Sequence, residues 1–261
     1  MIRVGVGGWV YAPWRGTFYP KGLPQARELA HASRSLTTIE INGTFYGAQK
    51  PESFRRWAAE TPDDFVFSVK GPRFATHRPR LAEAGPSIDR FFGTGVLELG
   101  AKLGPVFWQF PPFKSFDPDD FAAFLALLPR SLDGRPIRHA VEVRHKSFQT
   151  PEFVALMRSF AAAIALIDSD KHPLFADVTS DFLYLRLERT SETVATGYPR
   201  DALATWADRA RTWEKGNAPS DLPTVAERQA SKSRRDVFIY MISGAKVRAP
   251  AAAMALIEAI K

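Results

Sequence analysis

Segments with strand-like patterns alternate with helix-like segments about eight times along this chain of 261 residues. Strands joined by helices form right-handed parallel crossovers. About eight such units in one chain of this length predict an α/β fold, a single (β/α)8 TIM-type barrel that spans residues 1–261. The predicted strands cover residues 2–8, 38–42, 65–70, 106–110, 140–144, 163–168, 182–188 and 237–242. The sixth-to-seventh connection is short, so we expect one position of the outer ring to be irregular or to lack its helix.

The strand at 38–42 shows the pattern on which the functional interpretation depends. Polar and apolar residues alternate strictly, so Ile39 and Ile41 share one face while Glu40 and Asn42 share the other. Between a barrel and its outer helices the isoleucines would point outward. Glu40 and Asn42 would then point into the barrel near the carboxyl end of the strand. A carboxylate buried there must be paired, neutralised or used in chemistry.

Other strands repeat this arrangement and place polar residues inside the barrel or at its carboxyl end, where barrel enzymes carry their sites. The residues predicted to converge there are Glu40, Asn42, Lys70, Gln109, Glu142, Arg144, Asp168, Arg186, Glu188 and Tyr240. An internal lattice of salt bridges, with Glu40, Glu142 and Asp168 against Lys70, Arg144 and Arg186, is the structural alternative. It is less favoured because buried ion pairs add little stability compared with apolar packing.

Residues outside the strands extend the predicted site. Trp9, in an aromatic loop after the first strand, is expected to cover the mouth of the barrel. His145 follows a strand end and is a candidate general base. Ser243 follows the last strand, where barrels often bind phosphate on backbone N–H groups, although a plain turn explains it nearly as well.

Several motifs together resemble the DUF72 (YecE-like) family. They are Trp9, the run from Glu40 to Tyr46, residues 102–105 with 109–112, residues 141–145 and residues 184–187. The resemblance runs from the first strand to the last, and it implies a TIM-type barrel with a polar cleft at the strand ends. It implies no particular activity. This sequence departs from the family pattern at Gly43, Phe148, Glu188-Arg189 and Ile242-Ser243, which points to a changed ligand or altered activity if those positions touch a ligand.

The favoured functional hypothesis is an enzyme with acid–base chemistry, hydrolytic or isomerising, on a small phosphorylated or polyhydroxylated substrate. Glu142 and Glu40, or Asp168, would form the acid–base pair, with His145 as a further catalytic candidate. Lys70, Arg144 and Arg186 would hold the anionic group; a Schiff base on Lys70 is a weaker alternative. The predicted substrate-binding residues are Trp9, Asn42, Tyr46, Lys70, Gln109, Arg144, Arg186, Tyr240 and Ser243.

No cofactor is predicted. A divalent metal on Glu40, Glu142 and Asp168 is disfavoured by the neighbouring cations, and the five histidines show no HxH or HExxH spacing. The absence of cysteine excludes disulfides and thiolate sites. No apolar run approaches the ~20 residues of a membrane span. The chain starts directly with a strand-like segment, so we expect a cytoplasmic protein.

The alternative hypothesis is a protein associated with nucleic acid. The net charge of +7 favours anionic partners. Two basic segments could contact phosphates while aromatic residues at the mouth stack on bases. The first contains Arg73, Arg78 and Arg80, and the second contains Arg228, Lys232, Arg234 and Arg235.

Overall fold

Eight parallel strands close into a barrel in the computed structural model, which describes residues 1–228 and 233–261. Each strand pairs with its neighbours in chain order, and the eighth closes the barrel against the first, with Val4 opposite Ile239. The predicted TIM-type barrel is therefore confirmed. The strands are Ile2–Gly7, Thr38–Ile41, Val66–Lys70, Leu103–Gln109, His139–Glu142, Ala163–Asp168, Phe182–Leu187 and Asp236–Met241.

Helices surround the barrel and begin where the sequence offers a proline or a capping side chain. Pro51 occupies the first position of its helix, and the Asp117 carboxylate accepts a hydrogen bond from the Asp120 N–H at the start of another. The outer helices of the described chain are Glu28–Ser35, Pro51–Glu60, Gly85–Gly93, Pro118–Leu127, Pro151–Ser159, Arg200–Glu214 and Ala249–Ile260. Two short helices, Gly43–Tyr46 and Arg73–Thr76, follow the second and third strands.

The connection from the sixth to the seventh strand contains no helix in residues 169–181, all of which are described, so the irregular position is confirmed. Phe175 fills this sector and contacts the ring of Phe153 at 5.7 Å. The Asp177 carboxylate accepts hydrogen bonds from the N–H groups of Val225 and Ala226, both at 2.9 Å. A segment from the next connection thus helps to cover the barrel where a helix is missing.

The segment before the fourth strand is divided into two helices. A helix ends at Gly93, and a 3-10 helix, Val96–Lys102, follows. Gly95 separates the two with a φ of 93°, which a helix cannot contain. The strand then begins at Leu103, three residues earlier than predicted, because Gly104 and Pro105 already lie in extended backbone.

Large rings fill the interior of the barrel below its mouth. Phe107 and Tyr184 stack at 4.8 Å, and Tyr184 contacts Tyr240 at 5.0 Å. The tyrosine hydroxyls are satisfied internally, Tyr240 by Thr38 at 3.0 Å and Tyr184 by Ser68 at 2.8 Å. Tyr240 points inward as predicted, but it is fully buried in this layer. It therefore does not line the mouth, where the sequence places it among the substrate-binding residues.

Candidate functional site

A buried network of charges lies above the aromatic layer. Arg186, from the seventh strand, places its guanidinium 2.5 Å from the Glu142 carboxylate and 3.4 Å from that of Glu40. Tyr184 donates a hydrogen bond of 2.6 Å to Glu40. Glu40 and Glu142 are both 0% exposed, so each carboxylate depends on these partners for the interactions that water would otherwise supply.

Three polar side chains connect this network to the surface. Arg144 lies just beyond the fifth strand and pairs with Glu142 at 2.6 Å. Gln109 donates a hydrogen bond of 2.7 Å to Glu142 and accepts one of 2.7 Å from the Lys70 ammonium. The carboxyl ends of the second, third, fourth, fifth and seventh strands thus meet in one connected group of side chains.

Electrostatics gives these groups different proton affinities. Burial raises the pKa of Glu142, but Arg186, Arg144 and Lys70 outweigh it and hold that pKa at about 2. Burial, reinforced by Arg186, lowers the pKa of Lys70 to about 8. Glu142 is therefore a fixed anion near neutral pH, whereas Lys70 can exchange a proton there.

A cleft of about 470 Å³ opens above this network at the carboxyl ends of the strands. Among residues 1–228 and 233–261 no Asp or Glu lines it, because Glu40 and Glu142 lie beneath its floor. Its cationic lining consists of Lys70, Arg144, Arg186 and Lys246. The predicted residues Asn42, Tyr46, Gln109 and Ser243 also line the cleft. A ligand in this cleft would meet positive charge on several sides.

The loop after the eighth strand forms one wall of the cleft. Ser243 adopts a left-handed conformation with φ 60°, which is uncommon for a residue with a side chain, and Gly244 follows with φ 55°. Lys246 lies 4.6 Å above the Tyr11 ring, and burial lowers its pKa. This loop brings a cation to the cleft opposite Arg144 and Lys70.

Asp168 does not join the network, which corrects the sequence-based expectation. Ala163 and Ala165 of its strand face the barrel interior, whereas Ile164 and Leu166 pack in the outer core, and Asp168 shares their side. The Asp168 carboxylate pairs with Arg189 at 2.8 Å and accepts a hydrogen bond of 3.2 Å from Tyr198.

Trp9 and His145 also lie outside the cleft. Trp9 packs edge-on against Trp57 at 5.2 Å, on the outer side of the barrel, so it does not cover the mouth. His145 accepts a hydrogen bond from the Ser147 N–H through Nδ1 and lines a neighbouring groove with Arg144 and His172. The general-base role predicted for His145 gains no support from contact with the cleft.

One residue of the cleft, Lys246, is not indicated by the sequence. It lies five residues beyond the last strand, where strand alternation gives no signal. Glu188 shares the inward phase of the seventh strand with Arg186 and is predicted to converge on the carboxyl end, although no catalytic or binding role is predicted for it. Its carboxylate lies 3.5 Å from Arg186, and burial raises its pKa.

The other departures have plain structural settings. Phe148 is fully buried and packs against Phe153 at 5.0 Å. Gly43 begins the short helix after the second strand and is exposed. Arg189 pairs with Asp168 and Asp170, away from the cleft.

Glu40, Glu142 and Asp168, the residues considered for a disfavoured divalent metal, do not come together in one group. The Arg186 guanidinium lies between Glu40 and Glu142, and Asp168 is on the other face of its strand. In the described parts of the chain no group of three or more His, Asp or Glu side chains is arranged to hold a metal ion. None of the described helices combines the length and apolar character needed to cross a membrane.

The second basic segment precedes the eighth strand and therefore lies at the amino end of the barrel, opposite the cleft. Arg228 donates to backbone carbonyl groups, Arg234 pairs with Glu214 at 2.9 Å, and Arg235 is buried. Lys232 lies outside the described residues. Arg228, Arg234 and Arg235 therefore do not lie beside the aromatic residues of the mouth, and contact of this segment with phosphates stays a prediction.

A closed parallel barrel with a polar cleft at the carboxyl ends of its strands defines a TIM-barrel protein. Over residues 3–261 the chain matches the family described as "Protein of unknown function DUF72", and it belongs to that family. Two solved structures of DUF72 family proteins share the fold. The protein from Enterococcus faecalis V583 gives a TM-score of 0.73 at 16% identity, covering 100% of this chain and 95% of that one. The protein from Thermotoga maritima MSB8 gives 0.70 at 22% identity, covering 98% and 96%.

Curated relatives are similar over part of the chain. The UPF0759 protein YecE of Escherichia coli K12 is 31% identical over 148 residues, which is 57% of this chain and 50% of YecE. The UPF0759 protein YunF of Bacillus subtilis 168 is 27% identical over 174 residues, which is 65% of this chain and 60% of YunF. The chain thus spans one half to three fifths of the length of these relatives.

Proposed function

We propose that this protein is an enzyme that binds a small anionic substrate in the cleft and transfers a proton to or from it. The observation that carries the proposal is the lining of the cleft, with Lys70, Arg144, Arg186 and Lys246 and with no carboxylate from the described residues. Such a surface attracts phosphate or carboxylate groups. Asn42 and Tyr46 add groups that can hydrogen-bond to substrate hydroxyls, which supports a phosphorylated or polyhydroxylated substrate.

Lys70 is the residue best placed to move the proton. It is only 6% exposed, its ammonium donates a hydrogen bond to Gln109, and it lies 4.1 Å from the centre of the Phe45 ring. Its pKa of about 8 leaves a useful fraction as the neutral amine near neutral pH. The neutral amine would accept a proton from a substrate carbon or hydroxyl, and the resulting ammonium would return it to the product.

The buried carboxylates take a different role from the one that the sequence suggested. Glu142 is enclosed and stays ionised, so it positions Arg186, Arg144 and Gln109 rather than exchanging protons. Glu40 likewise orients Arg186 from below. Held in this way, the two guanidinium groups would bind the substrate anion beside Lys70 in a fixed geometry.

The proposal is tested by thermal unfolding against sugar phosphates, phosphorylated hydroxy acids and sugar acids, followed by NMR of each stabilising compound for turnover. A ligand at about 100 times its Kd stabilises the fold by about 2.7 kcal/mol, a readable shift in Tm. The matched variants are Lys70→Met and Lys215→Met, since Lys215 is exposed beyond the helix Arg200–Glu214.

We expect turnover to fall by about 10²-fold or more in Lys70→Met, the usual contribution of general acid–base catalysis, and to be unchanged in Lys215→Met. Product identity would then distinguish hydrolysis from isomerisation. Turnover that survives the loss of Lys70, or a panel in which no anion stabilises the wild-type protein, would overturn the proposal.

A further inference from the structure

Three exposed aromatic rings lie together beside the cleft. Tyr46, Phe74 and Phe113 are 68%, 59% and 73% exposed, and among the described residues they are the large aromatic side chains most open to solvent. They follow the second, third and fourth strands, so neighbouring loops at the carboxyl end of the barrel present all three. Rings gathered in this way on one side of a protein indicate a binding surface.

Ring contacts connect Tyr46 to Phe113 through two intervening rings. Tyr46 contacts Phe45 at 5.2 Å, Phe45 contacts His77 at 5.7 Å, and His77 contacts Phe113 at 6.2 Å. Phe74 lies three residues before His77 on the short helix Arg73–Thr76. We call Tyr46, Phe45, Phe74, His77 and Phe113 the aromatic strip. It begins at the cleft, where Tyr46 is part of the lining.

Arginines without carboxylate partners flank the aromatic strip. In the described chain Arg73, Arg78 and Arg90 form no ion pair, whereas nearby Lys114 pairs with Asp120. Arg73 lies 5.4 Å from the centre of the Phe74 ring. Arg78 donates hydrogen bonds to the Phe74 carbonyl and to Ser87, and with Arg90 it lines a groove of about 380 Å³ next to the strip. Positively charged side chains and exposed rings therefore lie side by side on one surface.

We infer that the aromatic strip and its flanking arginines bind a single strand of nucleic acid, with bases stacked on the rings and phosphates on the guanidinium groups. Stacking on exposed rings combined with a basic track is how proteins hold unpaired strands without reading their sequence. A duplex keeps its bases stacked on each other and cannot use the rings. RNA and DNA strands share the recognised chemistry. The strip adjoins the cleft through Tyr46, but the inference does not depend on the proton transfer assigned to Lys70.

The test is fluorescence anisotropy with labelled oligo-dT and oligo-rU of about 12 nucleotides, a length within the range of known single-strand sites. We expect Phe74→Ala and Phe113→Ala each to weaken binding roughly 5- to 150-fold, the range for loss of one stacked base. Both side chains are exposed, so the variants should keep the wild-type Tm, and that Tm is the check on folding. Comparison of the two oligonucleotides shows whether the strip prefers RNA or DNA.

Salt dependence tests the arginines. Replacing Arg78 by Gln should reduce the slope of log K against log salt by about 0.7 between about 50 and about 200 mM salt, the value for one phosphate contact on a single strand. Arg130→Gln is the matched control, because Arg130 is exposed at the amino end of the barrel. The substitution removes the same charge. The inference would be overturned if no oligonucleotide bound at low salt, or if both Phe variants bound as tightly as the wild-type protein. It would also be overturned if a duplex, or polyphosphate of the same charge, bound as tightly as the single strand.

Discussion

At the scale of single residues, Arg186 has more influence on the site than any neighbour. Its guanidinium contacts Glu40, Glu142 and Glu188 and lies 4.9 Å from the centre of the Phe107 ring. Removing one member of such a buried group leaves the others charged and unpaired. Arg144 also contacts Glu142, but 23% of its side chain is exposed and water can partly replace it.

We therefore predict that Arg186→Met lowers the free energy of unfolding by about 3–5 kcal/mol, while Arg144→Met lowers it by about half as much or less. Urea denaturation of both variants at pH 7 measures the difference. Equal losses of less than about 1 kcal/mol would show that the buried carboxylates do not depend on Arg186.

The low pKa of Lys70 predicts how the free energy of unfolding depends on pH. Its folded pKa of about 8 lies below its ordinary value of 10.5. Between these values the unfolded chain binds more protons, so stability rises with pH in that window, and the contribution is lost as pH falls through 8. Relative to Lys70→Met, the wild-type protein should gain at most about 1.4 kcal/mol per pH unit between pH 8 and 10. Urea denaturation of both proteins at intervals across this range measures the gain. A stability difference between them that does not change with pH would contradict the prediction.

At the scale of elements, close packing between strands limits what the first strand can contain. A Cβ at Gly5 would lie 1.8 Å from the Thr38 carbonyl oxygen of the second strand, and backbone cannot move aside cheaply. At Gly43 the nearest heavy atom would be 3.5 Å away, at the end of the Gln49 side chain. A Cβ atom is thus sterically excluded at Gly5 but can be accommodated at Gly43.

We predict that Gly5→Ala costs at least about 3 kcal/mol of stability, because overpacking alone costs about 1–3 kcal/mol and here the clash is with backbone. Gly43→Ala should change stability by no more than about 0.5 kcal/mol. Thermal unfolding of the two variants side by side is the measurement. A tolerated Gly5→Ala would mean that the first two strands are less closely paired than described.

Comparison of the predicted and observed strand faces shows which parts of the site the sequence determines. Alternation predicted that Glu40, Glu142 and Arg186 face inward, and their ion pairs confirm it. The sixth strand is apolar at every position from Ala163 to Ile167, so its phase could not be read and Asp168 was placed on the wrong side. Alternation carries information only where the two faces differ in chemistry.

The depth of a side chain within the barrel and the path of a loop are harder to predict than the face of the strand on which a residue lies. Tyr240 faces inward as expected but lies below the mouth, because depth follows from the stagger between strands, which residue type does not encode. Trp9 and Lys246 lie in loops whose path depends on tertiary packing. The fold could therefore be predicted almost completely, and the site only where it rests on strands.

Over the whole molecule, the two ends of the barrel differ in how their charged side chains are paired. At the amino end, the N-terminal ammonium and Arg138 pair with Asp236 at 3.1 and 2.7 Å, and Arg234 pairs with Glu214. At the carboxyl end, four of the described cations line the cleft, and the carboxylates that pair with Arg144 and Arg186 lie beneath its floor. The cleft thus offers an anionic ligand several cations in one place.

Titration of the Lys70 side chain shows whether Lys70 is a proton-exchanging amine in an anion-binding cleft. We would follow the Lys70 side chain by NMR from pH 6 to 11, with Lys70→Met for assignment, in the absence and presence of inorganic phosphate. We expect a midpoint near the pKa of about 8 without phosphate and a higher midpoint with it, because a bound anion favours the ammonium form. A midpoint near 10.5, unmoved by phosphate, would contradict both the proton transfer and the anion site.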